Sequence, residues 1–286
     1  MTSWSAIVVG PPPAVLRHHR DNNRVTADGW DRFTDHRARQ SDLVLAAGGR
    51  TLAVLGAGNC NDLDLDRLAT AFDSVDLIDL DQEAVRRARA RQTPAVAAKL
   101  VPRAPIDLSG ALATLPRWRD KTISPAQLSA LTRSAFDNIV TALPHRYDTV
   151  LSACLLSQIV HGCYVALDSH PQLAEIGNAL ATAHLRALLA LVQAAGRVVL
   201  VTDTVSSETY PLQELWGQQS PAALLAQLDQ VNNVLSGTAI SFVRRVLAGE
   251  AALMVERPRL IEPWLWQMHP DVTMLVYALV WQRAPS

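Results

Sequence analysis

The stretch Val54-Leu55-Gly56-Ala57-Gly58-Asn59-Cys60-Asn61-Asp62 closes a short apolar run, Thr51 to Leu55, and leads into Leu63, Leu65, Leu68 and Phe72, which are spaced to share one helix face. A strand, a G-x-G and a helix in that order describe a tight turn. Without a β-carbon at Gly56 and Gly58 the chain can bend sharply and a ligand can lie against the backbone, while the following helix points free N–H groups into the crevice. Roughly 20 residues further on, Val75-Asp76-Leu77-Ile78-Asp79-Leu80-Asp81 is an apolar strand that ends in carboxylates, at the spacing expected of an acceptor for ribose hydroxyls. Asp79 is the first choice because it follows the apolar core of the strand directly, and Asp81 the second; the competing role for either is a helix N-cap or a surface acid.

Outward from this pair, β-rich runs alternate with helical patterns. The runs are Thr51 to Leu55, Ser74 to Leu80, a weaker one near Ala104 to Asp107, Tyr147 to Ala153 and Arg197 to Thr202; the helical patterns include Glu83 to Arg91, Pro125 to Leu143 and Pro171 to Ala194, the last expected to stop at Gly196. After a polar stretch, Thr204 to Tyr210, come the helices Pro221 to Leu235 and Ser241 to Ala248. The chain closes with Trp264 to Met268 and Thr273 to Gln282, joined by His269-Pro270-Asp271-Val272, a turn short enough for an antiparallel hairpin. The expected fold is α/β, a doubly wound, mostly parallel seven-stranded sheet ending in an antiparallel hairpin, with added helices at the amino terminus and after the fifth strand. Residues 1–50 form a helical cap outside the sheet. Within it Pro11 to Pro13 are stiff and extended, and Ala27 to Ala47 reads as one amphipathic helix or two, with Trp30, Phe33 and Arg37 near one face, either covering the sheet or closing over a ligand.

The 286 residues are 49% hydrophobic and 19% charged, with a formal charge of -1, which excludes disorder and removes the basic footprint of non-specific nucleic-acid binding. Lys99 and Lys121 are the only lysines, a bias read as compositional. Cys60, Cys154 and Cys163 are too few and scattered for a disulfide framework and suit a reducing compartment. Met1 to Pro13 lacks the pattern of a secretory signal, and the most apolar long window, Ala183 to Val201, is broken by His184, Arg186, Gln193 and Arg197, so a cytoplasmic protein without membrane spans is expected.

The ligand at the glycine turn follows from its charges. A dinucleotide fingerprint would carry a third glycine where Asn61 stands, and a pyrophosphate there would meet Asp62 and Asp64. A sulfonium and an ammonium suit carboxylates instead. With Leu55-Gly56-Ala57-Gly58, the acidic strand end Leu77-Ile78-Asp79-Leu80-Asp81 and Ile106-Asp107-Leu108-Ser109-Gly110, the chain resembles the class I S-adenosylmethionine-dependent methyltransferases over roughly residues 51–202, so that residues 51–286 would form their Rossmann-like domain with a helical insertion at 204–250. That family's sheet has six parallel strands and one antiparallel strand near the edge. The resemblance implies S-adenosylmethionine as cofactor, with Gly56 and Gly58 bordering its methionine moiety, Asp79 binding the ribose, Asp107 with Leu108 framing the adenine, and Ser152 and Ala153 lining the crevice; Asn59 and Leu80 are further cofactor-binding candidates. Two positions depart from the family pattern: the acid often found two residues before the first glycine is Val54, and the third small residue is Cys60; Asp62 could stand in for the missing acid.

Methyl transfer needs alignment of nucleophile, methyl carbon and sulfur, and a base when the acceptor is a hydroxyl. The segment Ser152-Ala153-Cys154-Leu155-Leu156-Ser157-Gln158-Ile159-Val160-His161-Gly162-Cys163-Tyr164 lacks the N-P-P-[YF] pattern of nucleic-acid and glutamine amine methylation and the P-C pair of cytosine chemistry, which points to a small-molecule acceptor. His161 is the first candidate base, followed by Tyr164, Gln158 and Asp203. Trp30, Phe33 and His36 are candidates to line a substrate pocket, with core packing the alternative. No histidine pair has metal-ligand spacing, and no metal is expected. Trp264 and Trp266 share a strand face and read as packing. The tryptophan-containing carboxyl end is compatible with a homodimer. Competing readings are a non-catalytic binder of the same cofactor, an aminopropyl transferase, and a nicotinamide-dependent dehydrogenase.

Overall fold

Parallel strands covered by helices on both faces must be apolar on both faces, and β1 meets this requirement: Leu52, Ala53, Val54 and Leu55 are all fully buried. In the computed structural model, which describes residues 14–143 and 145–285, the chain runs α1 (Ala14–Val25), α2 (Thr34–Ala47), β1 (Thr51–Leu55), α3 (Leu65–Ala71), β2 (Ser74–Ile78), α4 (Gln82–Ala90), α5 (Pro94–Lys99) and β3 (Leu100–Arg103). It continues through α6 (Pro125–Ala142), β4 (Tyr147–Ala153), α7 (Leu155–Leu167), α8 (Leu173–Leu191) and β5 (Val192–Ser206), then α9 (Leu212–Leu215), α10 (Pro221–Gln230), α11 (Ile240–Gly249), β6 (Arg259–His269) and β7 (Val272–Gln282). The readings placed on Met1 to Pro13, including the proline run, lie outside the described residues.

The seven strands form one sheet in the order β3-β2-β1-β4-β5-β7-β6. Neighbours from β3 to β5 are parallel. β7 is antiparallel to both β5 and β6, so it alone runs against the others, and the closing hairpin is present as expected. Strand alternation divides the core in two. Ala53, Leu55, Val198 and Leu200 face α6, α7 and α8, whereas Leu52, Val54, Val199 and Val201 face α2, α3 and α4. The chain winds outward from β1 in one direction and from β4 in the other, so the crevice above their carboxyl ends is the switch point where such sheets bind ligands.

Several boundaries differ from the sequence reading for identifiable reasons. The third strand is Leu100–Arg103, not Ala104 to Asp107; Pro102 hides it in the sequence, yet proline is tolerated there because β3 is an edge strand. The helix before β5 ends at Leu191, and Gly196 lies inside β5, where a β-carbon would come within 2.6 Å of the Asp148 carbonyl oxygen. Gly196 therefore permits a close strand approach and does not stop the helix. β5 also absorbs Thr204, through its long antiparallel pairing with β7. α1 went unread because only Val15 and Leu16 of its residues are buried, leaving no apolar stripe to detect.

One buried ionic group ties three strands together. The Asp76 carboxylate of β2 pairs with Arg103 of β3 and accepts a hydrogen bond of 2.8 Å from the Tyr147 hydroxyl of β4. Tyr147→Phe keeps the ion pair and is expected to cost about 1–2 kcal/mol, whereas Arg103→Leu leaves a buried carboxylate without its cation and is expected to cost roughly 3 kcal/mol or more. Urea unfolding midpoints at constant slope check the ranking, and a larger loss in Tyr147→Phe would refute it.

Candidate functional site

The glycine turn is fastened on both sides. The N–H groups of Gly56 and Ala57 donate to the Ile78 carbonyl at 2.9 and 3.1 Å, which ties the exit of β1 to the end of β2. Gly56 has φ +83°, and a β-carbon on it would lie 2.9 Å from Leu155 Cβ and 3.1 Å from the Ala153 carbonyl oxygen. A glycine is required there because β1 and β4 leave the sheet in contact. Gly58, with φ +47°, donates its N–H to Asp79 Oδ2 at 2.8 Å, and Asp79 Oδ1 accepts the N–H of Asp81 at 2.7 Å. The strand-end carboxylate thus holds the turn while remaining half-buried. Asp81 caps α4 by accepting from the Glu83 N–H, the competing role foreseen for it.

Three half-buried carboxylates follow one another along the carboxyl ends of the central strands. Burial pushes Asp79 up to about 6, against the hydrogen bonds from the Asp81 and Gly58 amides. Burial likewise pushes Asp62 up to about 6, although Gln40 Nε2 donates to its Oδ2 at 3.0 Å. Asp203, in β5, is also raised by burial, and the Ser157 hydroxyl donates to it at 2.6 Å. Among the described residues none of the three forms an ion pair. Between Asp62 and Asp203 stands Cys154, which has the left-handed φ of 45° where β4 turns into α7. Burial, and then both of these carboxylates, pushes its thiol well above the ordinary range, so it is no nucleophile in this state.

A cleft of about 460 Å³, counting its open mouth, is lined by Asp79, Leu80, Asp107 and Leu108, by Leu155, Gln158, Ile159 and Gly162 of α7, and by Val15 and His19 of α1. Of the residues singled out from the sequence, Asp79, Leu80, Asp107, Leu108 and Gln158 therefore meet in one place, whereas Gly56, Gly58, Asp62 and Asp203 are not part of this lining. Asp107 already accepts from the Ser109 and Gly110 amides and the Ser109 hydroxyl through Oδ1, and from the Leu112 amide through Oδ2, which sets the loop after β3.

Other candidates sit elsewhere. Ser152 is fully buried and its hydroxyl meets His184 Nε2 at 2.9 Å, so its side chain faces the α8 side of the core and only its backbone can border the crevice. The Asn59 side chain is engaged with the Asn23 carbonyl and with Arg87, and the neighbouring Asn61 with the Thr26 carbonyl and Arg91. His161 and Tyr164 lie on α7 outside the cleft lining; the His161 ring packs 4.9 Å from that of His18 on α1, and burial and His18 both lower its pKa. Phe33 and His36 are core residues, while Trp30 is exposed beneath the Arg37 guanidinium. His36 accepts from the Trp264 indole N–H at 3.0 Å and stacks on Trp266. Sequence reasoning missed His19, Asn23 and Gln40, polar side chains on helices outside the sheet. A clue to the first two was available in the polar run His18-His19-Arg20-Asp21-Asn22-Asn23.

Among the described residues no group of three or more His, Cys, Asp or Glu is placed to hold a metal ion, and no helix is long and apolar enough to cross a membrane. No protein-family model and no curated protein matches the chain. Among solved structures it is similar to the N-methyltransferase NodS from Bradyrhizobium japonicum in complex with S-adenosyl-L-homocysteine, at 10% identity over 94% of this chain and 98% of the other, with a TM-score of 0.47. It is similar to an O-methyltransferase family protein from Burkholderia thailandensis at 15% identity, covering 95% of this chain and 60% of the other, TM-score 0.45. A third is a SAM-dependent methyltransferase from Methanosarcina mazei, at 10% identity over 86% and 97% of the two chains, TM-score 0.45.

The raised carboxylates have a consequence for stability. A group whose folded pKa lies above its unfolded value keeps its proton in the folded state while the unfolded chain has released it, so stability falls as pH rises from about 4 to about 6. Asp62→Asn removes that loss at its own site. The variant is expected to match the wild type near pH 4 and to melt at a higher temperature near pH 7. Melting curves across this range check it, and a variant deficit that grows with pH would contradict the assignment.

Proposed function

We propose that this protein is an S-adenosylmethionine-dependent methyltransferase of the class I type acting on a small molecule. The observation that carries the reading is the pair of half-buried carboxylates, Asp62 and Asp79, that flank the glycine turn at the switch point and, among the described residues, form no ion pair. A pyrophosphate at that turn would meet both acids; at 4 Å each unit-charge repulsion is on the order of 4 kcal/mol at an effective dielectric of 20. A ligand bearing an ammonium and a sulfonium turns the same charges to advantage. This repulsion disfavours a nicotinamide dinucleotide, and the position of β7 between β5 and β6 agrees with the sheet implied by the resemblance.

When bound, S-adenosylmethionine supplies a methyl group already activated by its sulfonium. The chain's part is to bind, align and manage protons. Gly56 and Gly58 present a backbone without side chains, Asp79 offers acceptor oxygens to a ribose diol, and Leu80, Asp107 and Leu108 form the wall suited to a purine. At the far end of the row, Asp203 is the base we assign to the acceptor. Its carboxylate is raised, it is steadied by Ser157, and it stands at the carboxyl end of β5 beside Cys154. His161, whose ring packs on those of His18 and Tyr164, and Tyr164 itself rank behind it. The formal charge of -1 supports a small acceptor over a nucleic acid.

Isothermal titration with S-adenosylmethionine, S-adenosylhomocysteine and NADH is expected to give binding for the first two only, with affinity rising as pH passes through about 6 and the acids ionise. Asp79→Ala should weaken binding at least about tenfold, or 1.4 kcal/mol. Label transfer from methyl-labelled cofactor into a metabolite extract then separates an enzyme from a non-catalytic binder. Binding of NADH alone would overturn the reading.

A further inference from the structure

Val15 and His19 of α1 line the cleft together with Leu155, Gln158, Ile159 and Gly162 of α7. The two helices approach closely, since a β-carbon on Gly162 would come within 3.3 Å of Val15 Cγ1. Beside this apolar contact the junction is built from imidazoles. The ring of His18 stands 4.9 Å from that of His161 on α7 and 6.4 Å from that of His19, and the Tyr164 ring lies 6.5 Å from His161. Three rings that titrate near neutrality thus share one helix junction at the cleft.

Their surroundings are poor in negative charge. Apart from His161, α7 carries no charged or titrating side chain but its tyrosine and its cysteine. α1 carries Arg17, Arg20 and Arg24 against one acid, Asp21, which pairs with Arg24 at 3.1 Å. α4, which also packs against α1, holds its charges elsewhere: Glu83 pairs with Arg86, Arg87 donates to Asn59 and Arg89 to the Ala97 carbonyl. On the strand side of the cleft are Asp79 and Asp107. Burial and then His18 lower the His19 pKa, against the hydrogen bond of Gln158 and the charge of Asp107, and burial and His18 also lower that of His161.

We propose that His18, His19 and His161 form a proton-operated latch: neutral, they let α1 dock on α7 and complete the cleft; charged, they repel one another, release α1 and open it. The direction follows from linkage. A released helix returns His19 and His161 to their ordinary value near 6.5, so docking is at full strength above that pH and weakens as the pH falls below it. Release also unravels α1, because a helix of 12 residues is marginal alone in water. The latch acts on the wall of the cleft, whatever the cleft binds.

Amide hydrogen exchange read by mass spectrometry tests this on the protein without ligand, with rates corrected for the intrinsic effect of pH. Protection of α1 is expected to fall at least about fivefold between about pH 7.5 and about pH 5.5, while β1 and β4 keep theirs. In the double variant His18→Gln/His161→Gln, α1 should stay within about twofold of its protection at the higher pH. His161→Gln alone, at an exposed position, should remove about half of the response or more, and it carries the test should exchange in β1 and β4 show the double variant unfolded. Gly162→Leu, which wedges α1 off through Val15, supplies the released reference at every pH. Constant wild-type protection across the range overturns the latch, as does wild-type α1 no better protected at the higher pH than in Gly162→Leu. A fall that survives both histidine variants overturns it too, and moves the sensor to Asp79 and to Asp81, which accepts from Asn23 of α1 at 3.1 Å.

Discussion

A carboxylate withdrawn from water with no cation beside it costs free energy at every pH where it is ionised. Among the described residues three half-buried acids without an ion pair, Asp79, Asp62 and Asp203, follow one another along the carboxyl ends of β2, β1 and β5, with Arg37 acting on Asp62 only at a distance. Selection for stability alone would have paired them or replaced them. Asp76 shows that the same sheet can pair a buried acid, since it meets Arg103 and the Tyr147 hydroxyl within the core. The difference lies in position. Asp76 sits within β2, where packing decides, and the unpaired acids sit at the switch point, where the crevice opens.

What keeps those acids in place is a set of neutral donors. Backbone amides of Gly58 and Asp81 serve Asp79, the Gln40 carboxamide serves Asp62, and the Ser157 hydroxyl serves Asp203. Neutral donors orient a carboxylate without cancelling its charge, which leaves a directed negative field in the crevice. The chain does have cations close by. Arg87 and Arg91 reach the turn, but they grip the oxygens of Asn59 and Asn61 on its outer side. Positive charge fixes the back of the loop, and negative charge is left at the strand ends.

Strand ends were readable because burial on both faces forces unbroken apolar runs, and β1 and β4 begin and end where those runs do. From them the topology carries Asp79, Leu80, Asp107 and Leu108 to one cleft. Ser152 and Ala153 could not be assigned a direction in the same way. Strand alternation sends one to each face, but two small residues give no hydrophobic contrast to say which, and it is Ser152 that turns to His184. β3 was misplaced because Pro102 argues against a strand unless the strand is known to be at an edge, which is information about the sheet and not about the segment. Gln40 and His19 were out of reach for a different reason. Buried polar residues on helices break the amphipathic pattern by which helices are read, and their purpose appears only when the partner, hundreds of atoms away along the chain, is in place.

The same physics distinguishes the two helices of the amino-terminal region. α2 is held by apolar burial, through Phe33 at its start and Val44 and Ala47 within it, and burial of this kind fixes an element firmly. α1 is held otherwise. Val15 and Leu16 are its buried residues, and its remaining ties are polar: Asn23 to Asp81, the Asn59 and Asn61 carboxamides to carbonyls at Asn23 and Thr26, and His18 against His161. Contacts of that type exchange with water at a net cost of about 1 kcal/mol each, so α1 is the least firmly held wall of the cleft. Asn23 Oδ1 lies 3.0 Å from the position of a Gly58 β-carbon. The bare backbone of the turn at Gly58 therefore lies against α1, whose ties are largely polar, while Asp62, Asp79 and Asp203 sit on the strand ends of the sheet.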